Sequence, residues 1–270
     1  MAYDLFTQGR ATEVVAQLVA AAEGRPIVRL VLNRTSARLT FVADGERPRS
    51  VVWQAGRISP SDDGTDLVAA TSFDPLRFNL SDVEGLFATA ADVSGSKSRQ
   101  ELQINEYDHG EIYMTVTTTP ESSTVFFDRD GVLVPRLRFA VEEDVAIGVA
   151  DVLAGRLIVI EIGMKAEQVW ADVLASPGVV ERRIRPANQP MYLTQRRETP
   201  AGGQFEASLV DANLLARLMR VAPDLVGEEP GSPVSLRVVQ PDADAQPQIM
   251  IDVNGAQVVT DLSGAPLPEG

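Results

Sequence analysis

Arginine side chains within one short segment are the strongest candidates for chemistry in this chain. The segment Glu181–Arg197 reads ERRIRPANQPMYLTQRR. Guanidinium groups bind carboxylates or phosphates through paired hydrogen bonds, and alternate residues of a strand share one face of a sheet. A hairpin here would therefore present a surface for an acidic partner. The candidate partner-binding residues are Arg182, Arg183, Arg185, Arg196 and Arg197. The alternative is that these arginines neutralise the chain's own acidic residues at its surface.

Catalytic machinery is hard to assemble from the rest of the sequence. His109 is the sole histidine, it lies in the turn-like tripeptide Asp108-His109-Gly110, and cysteine is absent. This composition disfavours a histidine-based triad, because the one histidine lies in a turn, and it excludes a thiol nucleophile and a metal site rich in histidine or cysteine. We therefore expect no enzymatic activity, no cofactor, and no catalytic or metal-binding residues.

Two acidic segments resemble cation-binding loops. The first, Asp128-Arg129-Asp130-Gly131, begins like a calcium-binding loop. The ligand residue that the calcium motif requires at its fifth position and the final glutamate do not appear. The segment is predicted to form a hairpin corner. The second, Ser61–Asp66, has enough oxygen ligands for a weak cation site, and a solvated acidic loop is the alternative.

The composition limits the classes of partner. The net charge is -14, with 44% hydrophobic and 23% charged residues, as in a globular protein. Strong acidity argues against non-specific binding to nucleic acid or to an anionic membrane surface. The most hydrophobic stretch, Val145–Met164, contains three charged residues, so no membrane span is expected. The N-terminus has no signal-peptide pattern, which indicates the cytoplasm. The alternative is an exported protein whose signal sequence has been removed. A homodimer is also possible.

The chain repeats a pattern of one amphipathic helix followed by about three strands. Four helices are predicted, at Ala11–Glu23, Ser81–Val93, Glu142–Ala154 and Asp211–Val221. Paired units give an N-terminal half, residues 1–135, a repeat of it, residues 136–264, and a flexible tail, residues 265–270. We predict an internally duplicated α+β fold with the helices on one face of antiparallel sheets. The predicted core contains Leu18, Leu86, Phe87, Ile112, Met114, Leu215, Leu218, Ile249 and Ile251.

The repeated helices DVEGLF and DANLLARL and the corners VFFDRDG and VVTDLSG support a resemblance. In this pattern the chain resembles tandem-repeat actinobacterial proteins of unknown function and, more distantly, β-lactamase-inhibitory-protein and PepSY-like domains. An arginine-rich sequence with only two lysines also indicates a high-GC bacterial genome. The resemblance implies a non-catalytic binding or inhibitory module.

We therefore expect a protein- or peptide-binding module, inhibitory or scaffolding, that uses a sheet face, a free strand edge or the groove between the halves. Two alternatives remain open. One is an acidic chaperone or adaptor of the secretion type, which would have an exposed apolar groove. The other is a small-molecule binder or enzyme that uses carboxylates and arginines between the halves.

Overall fold

The computed structural model describes residues 3–43, 47–61, 71–98, 100–118 and 124–268. The chain divides into two compact units, Met1–Val134 and Pro135–Gly270, which we call unit 1 and unit 2. Each unit packs two helices against one face of a seven-stranded antiparallel sheet. The predicted α+β class with a helix layer on a sheet layer is confirmed.

Unit 1 begins with helix α1 (Arg10–Ala21) and carries helix α2 (Val83–Ser94) between its fourth and fifth strands. Its strands are β1 (Ile27–Leu32), β2 (Ser36–Val42), β3 (Pro48–Gln54), β4 (Arg57–Ser61), β5 (Glu101–Asp108), β6 (Glu111–Thr117) and β7 (Thr124–Phe127). In space they follow the order β4-β3-β2-β1-β5-β6-β7. Strand β4 was not predicted, because it lacks polar–apolar alternation and contains Pro60.

Unit 2 repeats this topology with helices α3 (Glu142–Leu153) and α4 (Ala212–Val226). Its strands are β8 (Ile158–Val159), β9 (Glu161–Lys165), β10 (Gln168–Ser176), β11 (Val179–Pro186), β12 (Tyr192–Arg197), β13 (Phe205–Glu206), β14 (Val234–Val239), β15 (Gln248–Val253) and β16 (Ala256–Thr260). The large sheet has the order β12-β11-β10-β9-β14-β15-β16, while β8 and β13 pair separately. Helices α2 and α4 therefore occupy equivalent positions, and the predicted duplication is confirmed at the level of topology.

Each unit buries its own apolar core between the helices and the sheet. In unit 1, Leu18 and Phe87 from the two helices pack with Met114 from the sheet, whereas Ile112 is partly buried at the edge of this cluster. In unit 2, Leu215 and the other predicted core residues are buried in the same way. These positions follow from helical and strand periodicity, because one stripe of each helix and alternate residues of each strand must face the other layer.

The helix boundaries differ from the prediction by up to five residues, and α2 and α4 show why. Helix α2 begins two residues later than predicted, because Asp82 caps it: the Asp82 carboxylate accepts a hydrogen bond from the Gly85 N–H at 2.9 Å. Helix α4 passes through Pro223 and ends at Gly227 in the left-handed conformation. Proline removes one backbone hydrogen bond from a helix. Here Ala222 and Pro223 are buried against the core, which offsets that loss.

The C-terminal segment is tied to the sheet. The Leu267 N–H donates to the Val259 carbonyl at 2.8 Å, and the Ala265 N–H donates to the Asp261 carboxylate at 3.0 Å. Ala265 and Leu267 thus have backbone partners, and the flexibility of residues 265–270 stays a prediction. Within the described residues, no helix is both long and apolar enough to cross a membrane.

Candidate functional site

The five candidate arginines lie on the paired strands β11 and β12, as the hairpin prediction required. Strand alternation separates them into two groups. Arg183 and Arg185 point toward the helix layer and are buried, whereas Arg182 and Arg196 lie on the opposite face of the sheet. Arg197 is exposed. The five side chains therefore do not form one surface.

The two buried arginines hold together parts of unit 2. Arg183 Nε donates to the Val152 carbonyl at the end of α3, at 2.5 Å. Arg185, which is 1% exposed, donates to the Asp151 carboxylate at 2.8 Å and to the Pro135 carbonyl at 2.8 Å. A partner cannot reach either guanidinium group in this conformation. This burial removes Arg183 and Arg185 from the candidate partner-binding surface.

The arginines on the outer face neutralise a buried carboxylate. Arg182 binds Asp172 on β10 through two hydrogen bonds, Nε–Oδ1 at 2.7 Å and Nη2–Oδ2 at 2.8 Å. Arg196 adds a third contact, Nη2–Oδ2 at 2.7 Å. Burial raises the pKa of Asp172, but the hydrogen bonds and charges of Arg182 and Arg196 outweigh burial and bring that pKa below its usual value. These contacts match the alternative interpretation, in which the arginines serve the chain's own acidic residues.

Trp170 completes this ion-pair network. Its indole Nε1 donates to Glu161 Oε1 at 2.7 Å, and the Arg182 guanidinium lies over its ring at 5.4 Å from the centroid. The indole lies across Gly163 on strand β9, where a Cβ atom would overlap the ring and come within 2.8 Å of Nε1. A glycine is therefore required beneath the indole. The network leaves Arg182 and Arg196 with 33% and 39% of their side chains exposed.

The other chemical candidates have local structural roles. His109 adopts φ 41° in the β5–β6 turn, and its Nδ1 lies 2.7 Å from Asp108 Oδ1. Asp128 Oδ1 accepts hydrogen bonds from the Asp130 and Val132 N–H groups, so that acidic segment is a hairpin corner. Residues 62–66 of the second acidic segment lie outside the described residues. In the part of the chain that the structure describes, no three His, Cys, Asp or Glu side chains are grouped to hold a metal ion.

A groove in unit 2 lies between the C-terminal end of α3 and strand β8, and we call it the α3–β8 groove. Its volume is about 560 Å³. Helix α3 ends at Ala154, which adopts φ 41°, and Gly155 follows at φ 79°, so the chain turns sharply toward β8. The lining is mostly apolar and consists of Ala150, Leu153, Gly155, Arg156, Leu157, Ile158, Glu206, Ala207 and Ser208.

Large aliphatic side chains are exposed at this groove. Leu157 is 76% exposed and Ile158 is 47% exposed, while Leu209, adjacent to the lining residue Ser208, is 49% exposed. The backbone explains why. Val159 and Phe205 pair between β8 and β13 and point into the core, so Ile158 points away from it. Contiguous exposed apolar side chains mark interaction surfaces in soluble proteins.

The equivalent segment of unit 1 has a different surface. After α1 the chain reads Gly24-Arg-Pro-Ile-Val28, and after α3 it reads Gly155-Arg-Leu-Ile-Val159. Ile27 of unit 1 is buried, whereas its counterpart Ile158 is exposed, and Leu157 replaces a proline. The sequence analysis missed this site, because the apolar run from Leu157 has the pattern of an ordinary buried strand. Comparison of these two pentapeptides was the signal that could have found it.

The arginine of this repeated segment also differs between the units. Arg25 pairs with Glu23 at 3.3 Å and lies over the Phe41 ring at 5.4 Å from its centroid. In unit 2, Ala154 occupies the position of Glu23, so Arg156 has lost that carboxylate. Arg156 is exposed and makes no ion pair within 4.0 Å to any described residue. The groove therefore joins an exposed aliphatic surface to an unpaired cation.

No protein-family model and no curated protein matches the chain. Solved structures with some similarity include PCNA from Thermococcus kodakaraensis, at 12% identity over 95% of this chain and 97% of that chain, with a TM-score of 0.19. A Helicobacter pylori beta clamp in complex with 5-chloroisatin has 9% identity over 98% of this chain and 63% of that chain, with a TM-score of 0.16. The same clamp bound to a DNA ligase peptide has 10% identity over 97% of this chain and 66% of that chain, with a TM-score of 0.17. TM-scores this low establish neither a common fold nor a common function.

Proposed function

We propose that this chain is a non-catalytic binding module that takes an apolar segment of another protein in the α3–β8 groove. The observation that carries the proposal is the exposure of Leu157 and Ile158 beside the groove, at a position where unit 1 buries its isoleucine. Removing such side chains from water on binding releases free energy of about 25 cal/mol per Å² of apolar surface.

The chemistry of the rim specifies the partner further. Arg156 has lost the neighbouring glutamate that neutralises Arg25 in unit 1. A carboxylate on the partner would replace it and would orient the bound segment. The expected ligand is thus a peptide segment with one or two large apolar side chains flanked by an Asp or Glu. An acidic residue beside the apolar side chains would direct the peptide to Arg156, because the chain carries a net charge of -14 and repels acidic partners elsewhere.

The arginine strands β11 and β12 support partner binding less well. Arg182 and Arg196 already satisfy Asp172, so a partner carboxylate would compete with a buried internal one. Arg197 is the exposed member of the set and stays a candidate contact. We place the principal contact in the groove for this reason.

Selection from a random peptide library tests the proposal without knowledge of the native partner. Peptides enriched on the wild-type protein are re-measured on Leu157→Glu and on Leu76→Glu. Leu76 is a matched control, since it is a leucine of unit 1 with 48% exposure. We expect enriched peptides to be apolar and acidic, to bind Leu76→Glu like wild type, and to lose binding to Leu157→Glu. Failure to enrich any peptide, or equal binding to both variants, would overturn the proposal.

The acidic chaperone or adaptor is the second candidate, and the same exposed groove supports it. The two functions differ in whether the bound protein is stable on its own. A chaperone client would be insoluble or unfolded without this protein, whereas the partner of a binding module would be stable alone. Solubility of the identified partner after expression with and without this chain would separate them.

A further inference from the structure

We propose that Asn254 deamidates spontaneously in the folded chain, with the Asp252 carboxylate as the proton acceptor. Asn254 lies in the turn between strands β15 and β16, and it is the one asparagine of the sequence that a glycine, Gly255, follows. In deamidation the backbone nitrogen of the following residue attacks the asparagine side chain and displaces its amide nitrogen. The turn does not line the α3–β8 groove, so this site is independent of the proposed function.

The turn leaves the reacting groups accessible. Val253 pairs with Ala256, so Asn254 and Gly255 form the whole turn, and both residues are exposed. Gly255 adopts φ 89°, and apart from its chain neighbours no heavy atom of a described residue lies within 4 Å of the position that a Cβ atom would take. Glycine therefore presents no side chain that hinders the approach of its nitrogen to the Asn254 amide. Solvent water can reach the same atoms.

A carboxylate contacts the attacking nitrogen. The Gly255 N–H donates to Asp252 Oδ1 at 3.2 Å. The other carboxylate oxygen, Oδ2, accepts a hydrogen bond from Gln257 Nε2 at 3.3 Å, which holds the carboxylate in this orientation. A group that already accepts the hydrogen bond is positioned to accept the proton as the nitrogen forms its new bond. Asp252 therefore has the position of a general base for this reaction.

A second carboxylate contacts the nitrogen that leaves. Asn254 Nδ2 donates to Glu228 Oε2 at 2.9 Å. Glu228 is itself held at the C-terminal end of helix α4, where its N–H donates to the Pro223 carbonyl at 2.9 Å. A carboxylate at this position stabilises the departing nitrogen as it becomes ammonium. The turn thus has one acidic side chain at each of the two nitrogens that react.

The bond changes balance with water as the co-reactant. The bond between Gly255 N and Asn254 Cγ forms, and the bond between Cγ and Nδ2 breaks. The Gly255 amide proton passes through the Asp252 carboxylate to the displaced nitrogen, which leaves as ammonia. Water then opens the cyclic imide at either carbonyl, so the product at position 254 is an aspartate or an isoaspartate. No group is oxidised or reduced.

The product would detach the turn from helix α4. A carboxylate at position 254 cannot donate a hydrogen bond to Glu228, and it repels both Glu228 and Asp252. The contact between the β15–β16 turn and the C-terminal end of α4 would therefore be lost. We expect the segment that follows α4 to become more mobile as the protein ages.

Prolonged incubation of the folded wild-type chain at neutral pH, followed by peptide mapping with mass spectrometry, tests the proposal. The peptide that contains position 254 should gain the mass difference between an amide and an acid, with isoaspartate among its products. Asp252→Asn keeps the shape of the side chain but removes its basicity, so it should slow the conversion at least about tenfold. Asp242→Asn should leave the rate unchanged. It is the matched control, because Asp242 is an exposed aspartate of unit 2 that accepts backbone hydrogen bonds in a different turn.

Comparison with the unfolded chain separates the effect of the fold from that of the sequence. A chain unfolded in guanidinium chloride has no fixed contact between Asp252 and Gly255, so the folded chain should convert faster. Slower conversion in the folded chain would overturn the proposal, as would equal rates for folded wild type and Asp252→Asn. Asn254→Asp supplies the aspartate product directly and should speed hydrogen exchange at the amides of residues 227–229. Unchanged exchange there would contradict the loss of the contact with α4.

Discussion

Arg182 and Asp172 face each other across strands β11 and β10 and form a two-point ion pair, with Nε–Oδ1 at 2.7 Å and Nη2–Oδ2 at 2.8 Å. The Asp172 side chain is only 2% exposed. A carboxylate this deeply buried remains ionised only when guanidinium groups surround it. Arg182 and Arg196 therefore maintain the structure of the sheet in addition to any contact they make with a partner.

Removal of both arginines should destabilise unit 2. Arg182→Gln with Arg196→Gln would leave the Asp172 carboxylate buried without a cation. We expect a loss of about 3–5 kcal/mol in the free energy of unfolding, typical of a buried ion pair that loses one side. Denaturant unfolding measures it, with exposed Arg197→Gln as the control. Adding Asp172→Asn to the double variant should recover much of the loss, and no recovery would argue against the pair.

The same carboxylate predicts a pH dependence. The pKa of Asp172 in the folded chain is lower than in the unfolded chain, where an aspartate titrates at about 3.9. Its ionised form thus stabilises the fold above that unfolded value, and the contribution disappears as pH falls through the lower folded pKa. The stability difference between wild type and Asp172→Asn should be constant near about pH 7 and should shrink toward about pH 2. A difference that does not change on acidification would contradict the assignment.

Gly163→Ala should disrupt the indole of Trp170. The new Cβ would overlap the ring, break the Nε1–Glu161 hydrogen bond and displace the side chain beneath Arg182. Overpacking of this kind costs about 1–3 kcal/mol. The denaturation midpoint and the near-UV circular dichroism of tryptophan would report it. In a Trp170→Leu background the same substitution should cost much less, and equal costs in both backgrounds would show that the two residues are not coupled.

Ala154→Glu should weaken binding of acidic peptides without changing the apolar surface. It would restore to Arg156 the carboxylate that Glu23 supplies to Arg25, and Glu23 tolerates the same left-handed conformation at φ 55°. We expect affinity to fall about two- to fivefold, the value of an exposed ion pair. Ala154→Gln provides the uncharged control. Equal losses for both variants would indicate a steric effect and would remove Arg156 from the binding site.

Much of the fold was accessible from periodicity, because short-range patterns determine which side of an element is buried. Asn254-Gly255 is one example: an Asn-Gly dipeptide is typical of a two-residue hairpin turn, both residues adopt positive φ, and Val253 pairs with Ala256 around them. The resemblance to inhibitory domains stays a prediction.

The sequence did not predict which acidic residues or carbonyl groups the arginines contact. Asp151 lies 34 residues from Arg185. Asp172 lies only 10 residues from Arg182 on the neighbouring strand, but its burial beneath both Arg182 and Arg196 depends on the packed sheet.

The groove escaped prediction for a related reason. An apolar run such as Leu157–Ile162 indicates a buried strand, and nothing local distinguishes an exposed leucine from a covered one. Exposure of Leu157 depends on the left-handed turn at Ala154 and Gly155 and on the pairing of β8 with β13.

Hydrogen–deuterium exchange of the wild-type protein, with and without a peptide selected from the library, tests the central claim most directly. Binding in the α3–β8 groove should slow exchange at the amides of residues 150–158 and 206–209, because the bound peptide excludes water from those segments. Exchange on strand β12 and throughout unit 1 should be unchanged. Protection confined to β12, with no change at residues 150–158, would contradict the account and would return the binding surface to the arginine strands.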